Sequence, residues 1–467
     1  MGAFCVCDPF SLEDIPSSSG QTNPGDKIME SIWIQTAALP DFPRLEQSIK
    51  TDVLIIGGGL AGILCAHYLH QVGISCTLVE SRQLCGGVSG NTTAKITAQH
   101  GLVYHKLLRR FGSELTRMYL KANLEAVDRY RELSSQFPCD FEEKDSFVYT
   151  TGSAGPLENE LSALDQIGFS ADLVKNLPLP FDVTGAVRFG DQAQFHPLKL
   201  AAALVPGLNI YENTPVISFD GHAYRTPGGK ITADKAIVAT HFPIFNKHGG
   251  YFLKMYQHRS YVIALKGGPD VGGMYVDADK KGLSFRNYGD HLLLGGGSHR
   301  TGKTGGGWAE LQELSKTWYP NARETALWAT QDCMTLDDIP YIGQYSKHTP
   351  DLYVATGFHK WGMTGAMVSA MLLTEEIQGR QHLCAPAFSP QRTIARPQLL
   401  GNILESALNL LTPTAPRCPH LGCALKWNKA EHTWDCPCHG SRFDKDGKLL
   451  DTPATGDLPD KKHHGRG

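Results

Sequence analysis

No stretch of this sequence is apolar for long enough to cross a bilayer, and neither sign of charge dominates. The 44 Lys and Arg residues stand against 47 Asp and Glu, a formal net charge of -3. The first lack excludes a membrane-spanning helix. The second removes the electrostatic footprint of a nucleic-acid or anionic-membrane binder. The N-terminus has neither a basic region nor a clean apolar one behind it, so no export signal is read and a cytoplasmic location is expected. No internal repeat is visible either, which argues against a solenoid or propeller. What remains is an ordinary soluble composition, 41% hydrophobic and 19% charged, over 467 residues. That length calls for two or three domains.

The 12 cysteines are unevenly spent. Cys65, Cys76, Cys85, Cys139, Cys333 and Cys384 are scattered, as reduced thiols of a cytosolic enzyme would be. Cys5 and Cys7 form a lone C-x-C without partners. Cys418, Cys423, Cys436 and Cys438 instead crowd into one short stretch with His420 and His439, which points to metal before it points to a disulfide scaffold.

Along the chain, residues 1–28 are Ser-, Pro-, Gly- and Asp-rich and aperiodic, and read as a disordered tail, with Met29 a candidate start. Residues 30–380 carry one long module. Its pattern opens on a buried strand, Asp52-Val-Leu-Ile-Ile56, followed by Gly57-Gly-Gly-Leu-Ala-Gly62, a helix to about Val72, and a second strand ending in Glu80. Residues 104–136 have apolar positions at spacings of three and four and predict a helix. Further strands are expected at 147–150, 235–240, 261–265, 291–294 and 352–355, and helices near 157–167 and 308–318. Residues 381–411 read as a linker, a polar Pro-bearing tether over 381–397 and then a short helix over 399–411.

A strand, a G-x-G-x-x-G turn, a helix and a second strand with an acidic end form the dinucleotide-binding arrangement. Gly57 permits the tight turn and Gly59 lets backbone approach a pyrophosphate. Gly62 lets the helix pack on the strand, and the helix start, with Leu60 and Ala61, offers N–H groups to phosphate. Glu80 stands where a carboxylate would take the ribose hydroxyls. A bare βαβ unit is the alternative.

From about residue 52 to 379 the chain resembles the D-amino-acid oxidase/glycine oxidase flavoprotein family. The likeness lies in Gly86-Gly-Val-Ser-Gly-Asn-Thr-Thr93, Lys235-Ala-Ile-Val-Ala-Thr240, Asp337-Asp-Ile-Pro-Tyr-Ile-Gly343 and Ala355-Thr-Gly-Phe-His-Lys-Trp-Gly362. The resemblance implies an α/β (α+β) fold, in which a Rossmann-like FAD domain (50–137, 190–245, 335–380) carries an inserted sheet-based substrate domain (138–189, 246–334). It implies FAD contacts at Ser81, Arg82, Asn91, Thr92, Thr93, Val216, Thr240, Gly343, Gly357, Gly362, Met363 and Thr364. It also implies hydride transfer from the carbon beside an amine nitrogen, a chemistry that needs orientation more than acid–base residues. Several members hold a substrate carboxylate with an arginine; at a similar place this chain has Lys360, beside His359. Arg259 and Tyr261 are expected to face the pocket, whereas Arg188 and His196 read as structural. Cys333 lies where some relatives attach FAD through cysteine; a plain buried thiol is the alternative.

The second cluster of motifs, Cys418-Pro-His-Leu-Gly-Cys423 and Cys436-Pro-Cys-His-Gly-Ser-Arg-Phe443, resembles the Rieske family. That likeness implies a small all-β domain over 412–460 holding one 2Fe–2S cluster, with Cys418 and Cys436 on one iron and His420 and His439 on the other. Cys423 and Cys438 match a pair that forms a disulfide in one branch of the family, and Ser441 matches a donor to a cluster sulfur. A structural zinc site is the alternative reading. The module is short for the family, and Thr452 stands where a glycine is usual. The joint expectation is an amine or amino-acid dehydrogenase that hands electrons through its cluster to an acceptor protein or quinone. Its rivals are a Rieske module serving as redox sensor or docking unit, or as electron input to a flavin reductase.

Overall fold

Val53 to Ile56 are buried on both sides, as a strand must be when both faces of a parallel sheet are covered, here by helices on one side and by an aromatic-rich cluster on the other. In the computed structural model, which describes residues 30–245, 248–279, 282–393, 397–412 and 416–459, strand Ile49–Ile56 is central. It runs parallel to Cys76–Val79 on one side and to Gly229–Val238 on the other. Asn209–Tyr211 and Thr349–Thr356 extend the parallel order outward, and an antiparallel hairpin over 218–226 finishes one edge. Helices Leu60–Gln71 and Gly362–Ile377 pack together in the same core as this sheet. The expected tail over 1–28 lies outside the described residues.

The long helix is Tyr104–Gln136, as its periodicity predicts, broken only by Gly112 at φ 79°. It leads into a second eight-stranded sheet, in the order 323–335, 255–266, 291–300, 284–288, 274–277, 146–150, 185–189 and 172–174. Side chains alternate between its two faces. Val262, Ala264, Leu293, Ala326 and Trp328 join the core of the first domain. Tyr261, Ile263, Leu265, Leu292 and Leu294 pack outward with Trp308 and Leu311 of helix Gly307–Trp318. The inserted sheet thus has an inner face on the helix-covered core of the dinucleotide domain and an outer face with an apolar cluster of its own, whose end at Met255 and Cys333 meets the other face of the dinucleotide sheet.

The stretch expected to be a tether is a docked strap. Cys384, Ala387 and Phe388 are buried in the main core, Phe388 stacking on Tyr119 at 5.5 Å. The Arg392 guanidinium pairs with the buried Asp337 carboxylate at 3.1 Å and lies over the Tyr341 ring. Pro and polar residues suggested freedom; Phe388 and Arg392 found partners. Residues 394–396 lie outside the described set. Helix Pro397–Leu411 follows, and then a four-stranded antiparallel meander of very short strands, 426–428, 433–435, 442–443 and 449–451.

Candidate cofactor sites

The glycines of the first turn are required by contact. Gly57 has φ +115° and its N–H donates to Val79 O at 2.9 Å; a Cβ there would sit 2.5 Å from Ala239 O. A Cβ on Gly62 would meet Gly57 O at 2.0 Å, so the helix can approach the strand only without one. Gly59 caps the helix with no side chain, and the Leu60 N–H is bonded to Ser89 Oγ at 2.9 Å. Glu80 organises the turn: Oε2 accepts Gly58 N–H at 2.8 Å, and Oε1 accepts Arg82 N–H and Ser81 Oγ–H at 2.9 Å each. The turn is therefore a backbone-lined cradle at the carboxyl ends of parallel strands, which suits a pyrophosphate.

The loop after the second strand is held from three sides. Asn91 bonds back to Gly87 O, and the Trp33 indole donates to Thr92 O at 2.7 Å. Arg286 Nη1 donates to both Thr93 O and Ala94 O, at 2.8 and 2.7 Å. Lys95, on the next strand, reaches Thr93 Oγ1 at 3.2 Å. Burial, with Arg286 adding to it, pulls the Lys95 amine down to about 7. Two buried cations beside this loop were not singled out in the sequence, because nothing local marks Lys95 or Arg286 as inward-facing. Thr240 bonds to Phe242 O, Val216 is buried, and Gly343 lies against Pro390 of the strap.

At the same carboxyl end of the sheet, after strand Thr349–Thr356, Gly357 has φ +72°, and a Cβ would strike Thr335 Cγ2 at 2.4 Å. His359 is buried; Thr335 N–H donates to its Nε2 at 3.2 Å, so Nε2 is an acceptor and the ring is neutral. Burial holds its pKa down. Gly362 opens the helix with open space where a Cβ would be, Met363 O accepts the Tyr130 hydroxyl, and Thr364 Oγ1 meets His100 Nε2 at 3.0 Å. Lys360 Nζ donates to Ser298 Oγ at 3.1 Å. Ser298, Ser260, His258 and Asp332 share the inner face by strand pairing. Burial pushes the Asp332 carboxyl up to about 6 against the pull of Lys360 and Arg259, and pushes His258 down to about 3.

Arg259 and Tyr261 do not line that face. Each lies one residue out of phase with it, and on a strand one residue reverses the side chain. Arg259 Nε and the Tyr261 hydroxyl each bond Glu431 Oε1 at 3.0 Å, on the C-terminal module. Arg188 pairs with Asp145 and Asp172, and His196 caps helix Pro197–Leu204; both are structural. Cys333 faces outward into an apolar cluster with Phe242, Tyr251 and Met255, and burial raises its thiol pKa.

The metal-ligating residues stand on two tight loops. Cys418 N–H bonds Cys423 O at 2.9 Å, and Cys436 N–H bonds Ser441 O at 2.8 Å. Gly422 and Gly440 take left-handed φ values of 77° and 84° to close them. The ligand atoms of Cys423, Cys436 and His439 lie within 4.8 Å of one another, and the rings of His420 and His439 are 4.9 Å apart. The Cys418 and Cys436 thiols touch, as do those of Cys423 and Cys438, and all four are free. Burial pushes His420 down to about 3 and His439 to about 4, so both offer neutral nitrogens, and His439 Nδ1 is buried with no protein partner. Ser441 Oγ accepts the Ala454 N–H at 3.0 Å and ties the segment over 452–454 to the second loop. Soft thiolates and neutral imidazoles at this spacing fit an iron–sulfur cluster; the glycine cradle fits a dinucleotide.

The FAD dependent oxidoreductase (DAO) family matches residues 52–376, and the Rieske [2Fe-2S] domain matches residues 408–461. This chain belongs to the DAO family. It is an FAD-dependent oxidoreductase with a C-terminal Rieske domain, and its cofactors are FAD and a 2Fe–2S cluster. It is 33% identical, over 91% of its length and 96% of the relative's, to YhfW of Bacillus subtilis (strain 168), described as a Rieske 2Fe-2S iron-sulfur protein. Among solved structures the fold is similar to L-proline dehydrogenase from P. horikoshii, with TM-score 0.63, 17% identity, and 75% of this chain and 98% of that one covered. It is also similar to glycine oxidase from Geobacillus kaustophilus, with TM-score 0.62, 21% identity, and 74% and 100% covered. No helix among the described residues of this family member is long and apolar enough to cross a membrane.

Proposed function

We propose that this enzyme is a dehydrogenase of an amine or amino acid that passes the electrons it gathers, one at a time, to its own Rieske cluster. FAD supplies the chemistry of hydride acceptance from the carbon beside the donor nitrogen. In this reading the turn over Gly57, Gly59, Leu60, Ala61 and Gly62 holds the pyrophosphate, and Glu80, Ser81 and Arg82 hold the ribose side. Asn91, Thr92, Thr93, Val216, Thr240, Gly343, Gly357, Gly362, Met363 and Thr364 complete the cofactor's surroundings. Cys418, His420, Cys436 and His439 ligate the irons, and Cys423 and Cys438 brace the two loops.

On the donor side, Lys360 gives the inner face of the sheet positive charge for a carboxylate, and Asp332 and His258 flank it. Arg300 lies at the strand end beside the C-terminal module, over the Tyr256 ring, and its charge acts on Glu405, Cys438 and His439. The names of the two similar solved structures, a proline dehydrogenase and a glycine oxidase, support a C–N donor.

The observation that carries the electron route is a shared wall. The strand Met255–Lys266 presents His258 and Ser260 to the inner face while Gln257 and Arg259 bind the Rieske module on the outer one. Cluster and donor pocket are thus separated by a single layer of backbone. The acceptor beyond the cluster is a one-electron carrier, a protein or a quinone. The test is anaerobic mixing of the purified enzyme with a panel of amines and amino acids, followed by flavin absorbance and by electron paramagnetic resonance of the cluster. A donor that bleaches the flavin and then produces the cluster signal is the expected result; a bleached flavin beside a permanently oxidised cluster overturns the route.

A further inference from the structure

The strands of the C-terminal meander are two or three residues long, too short to enclose a cluster loop by themselves. The missing wall comes from the outer face of the inserted sheet. Gln257 Nε2 donates to His439 O at 2.9 Å, and Gln331 Nε2 donates to Gly440 O at 2.8 Å. Both amides are buried. Gln331 Oε1 accepts Thr301 Oγ1–H at 2.9 Å, which fixes the end of the amide that faces the cluster loop. The fit is close: a Cβ on Gly440 would come within 2.6 Å of Gln257 Cγ, and one on Gly302 within 2.6 Å of Pro437 Cβ.

The two imidazoles meet different surroundings. His439 is 2% exposed and stands edge-on to Phe242 and Phe252 of the FAD module, at 6.3 and 6.0 Å. Phe242 follows directly on Thr240 and His241, at the carboxyl end of the strand whose Ala239 carbonyl borders Gly57. His420 is only half-buried and is followed by the exposed Leu421. One imidazole therefore looks into the oxidoreductase module and the other looks out.

We propose that Gln257 and Gln331 are positioning residues of the cluster, supplied by the oxidoreductase module, and that electrons enter on the His439 side and leave on the His420 side. The direction rests on the proposed flavin-to-cluster route; the role of the glutamines does not. Each transfer moves one electron and reduces one ferric ion of the cluster. Two transfers carry away the electron pair of one hydride while its proton passes to water, and a one-electron acceptor, ferricyanide as the probe, takes the electrons in turn. A hydrogen bond to the carbonyl of a ligand residue, His439, or of the residue that follows it, Gly440, fixes that ligand's orientation, so its loss is felt at the metal.

The test uses the full-length holoenzyme with Gln257→Met and Gln331→Met, which keep volume and remove the donor, and Thr301→Val, which acts only through Gln331. Iron content, g values, the cluster's midpoint potential and the rate of cluster reduction after the flavin are read together. We expect shifted g values and potential in both methionine variants and a slowing of cluster reduction by about tenfold or more. Thr301→Val should move the same readouts in the same direction by less. Loss of iron from a glutamine variant whose flavin spectrum stays native also supports the proposal, since neither glutamine is a ligand. Wild-type g values, potential and rate in both methionine variants would overturn it. If the wild-type flavin never reduces the cluster but the variants shift its g values, the route fails and the positioning role stands.

Discussion

Arg259 of the inserted sheet and Glu431 of the Rieske module face each other fork to fork, with Arg259 Nε 3.0 Å from Oε1 and Arg259 Nη2 on Oε2. Both side chains are buried, and Arg442 joins the same carboxylate while also reaching Asp435 and Asp451. Arg259 and Arg442 hold the Glu431 carboxyl below its usual range against the penalty of burial. Removing one partner of such a pair leaves a buried charge uncompensated, which costs about 3–5 kcal/mol.

Arg259→Ala should therefore loosen the Rieske module without touching the donor pocket. The expected outcome is faster proteolytic release of the Rieske module and an earlier thermal loss of the cluster signal, while the FAD transition stays in place. A variant that keeps its cluster stability but shows a raised KM for a donor would return Arg259 to the pocket.

Gly62→Ala should abolish FAD binding. The new methyl would lie 2.0 Å from Gly57 O, a distance no side chain can relieve because the obstacle is backbone. The measurement is flavin content of the purified variant. Rieske-type absorbance should persist, since among the described residues the cluster loops and the inserted sheet that walls them do not touch this turn.

How much of this was legible in the sequence divides along physical lines. The glycine turn and the Cys and His loops were readable because each residue is fixed by its immediate neighbours: Gly62 by Gly57, and Gly440 by the closure of its own loop. The long helix over 104–136 was readable by period. The facing of strand Met255–Lys266 was not. Polar residues occur on both of its faces, and the partner that separates them, Glu431, lies 172 residues away from Arg259. The strap failed for the same reason: Phe388 and Arg392 look like a linker until Tyr119, Tyr341 and Asp337 are beside them.

Asp332 gives a pH dependence whose sign is fixed. Burial raises its folded value from 3.8 to about 6, so the folded state favours the protonated form. Its contribution to stability is full below about pH 4 and is lost as the pH rises through about 6. Asp332→Asn should flatten that stretch of a plot of Tm against pH, and should be the more stable protein at pH 7. A parallel pH slope in the two proteins would mean that Lys360 keeps the carboxyl ionised throughout.

The last expectation concerns the sulfurs. Cys423 and Cys438 are in contact as free thiols, one from each cluster loop, and a bond between them would tie the loops without supplying a ligand. In the double variant Cys423→Ser/Cys438→Ser the loops keep their other braces, the Cys418–Cys423 and Cys436–Ser441 backbone bonds and the two glutamine contacts. Cluster assembly should therefore survive, with a Rieske-type g average, but iron should be lost faster to a chelator. Water reaching the cluster should also change its midpoint potential, because solvent exposure is one of the quantities that set it. Cys423 also lies within 4.8 Å of both Cys436 and His439, close enough to ligate. A double variant that assembles no cluster at all would assign one of these two cysteines to iron, and Cys423 by its geometry would be the one.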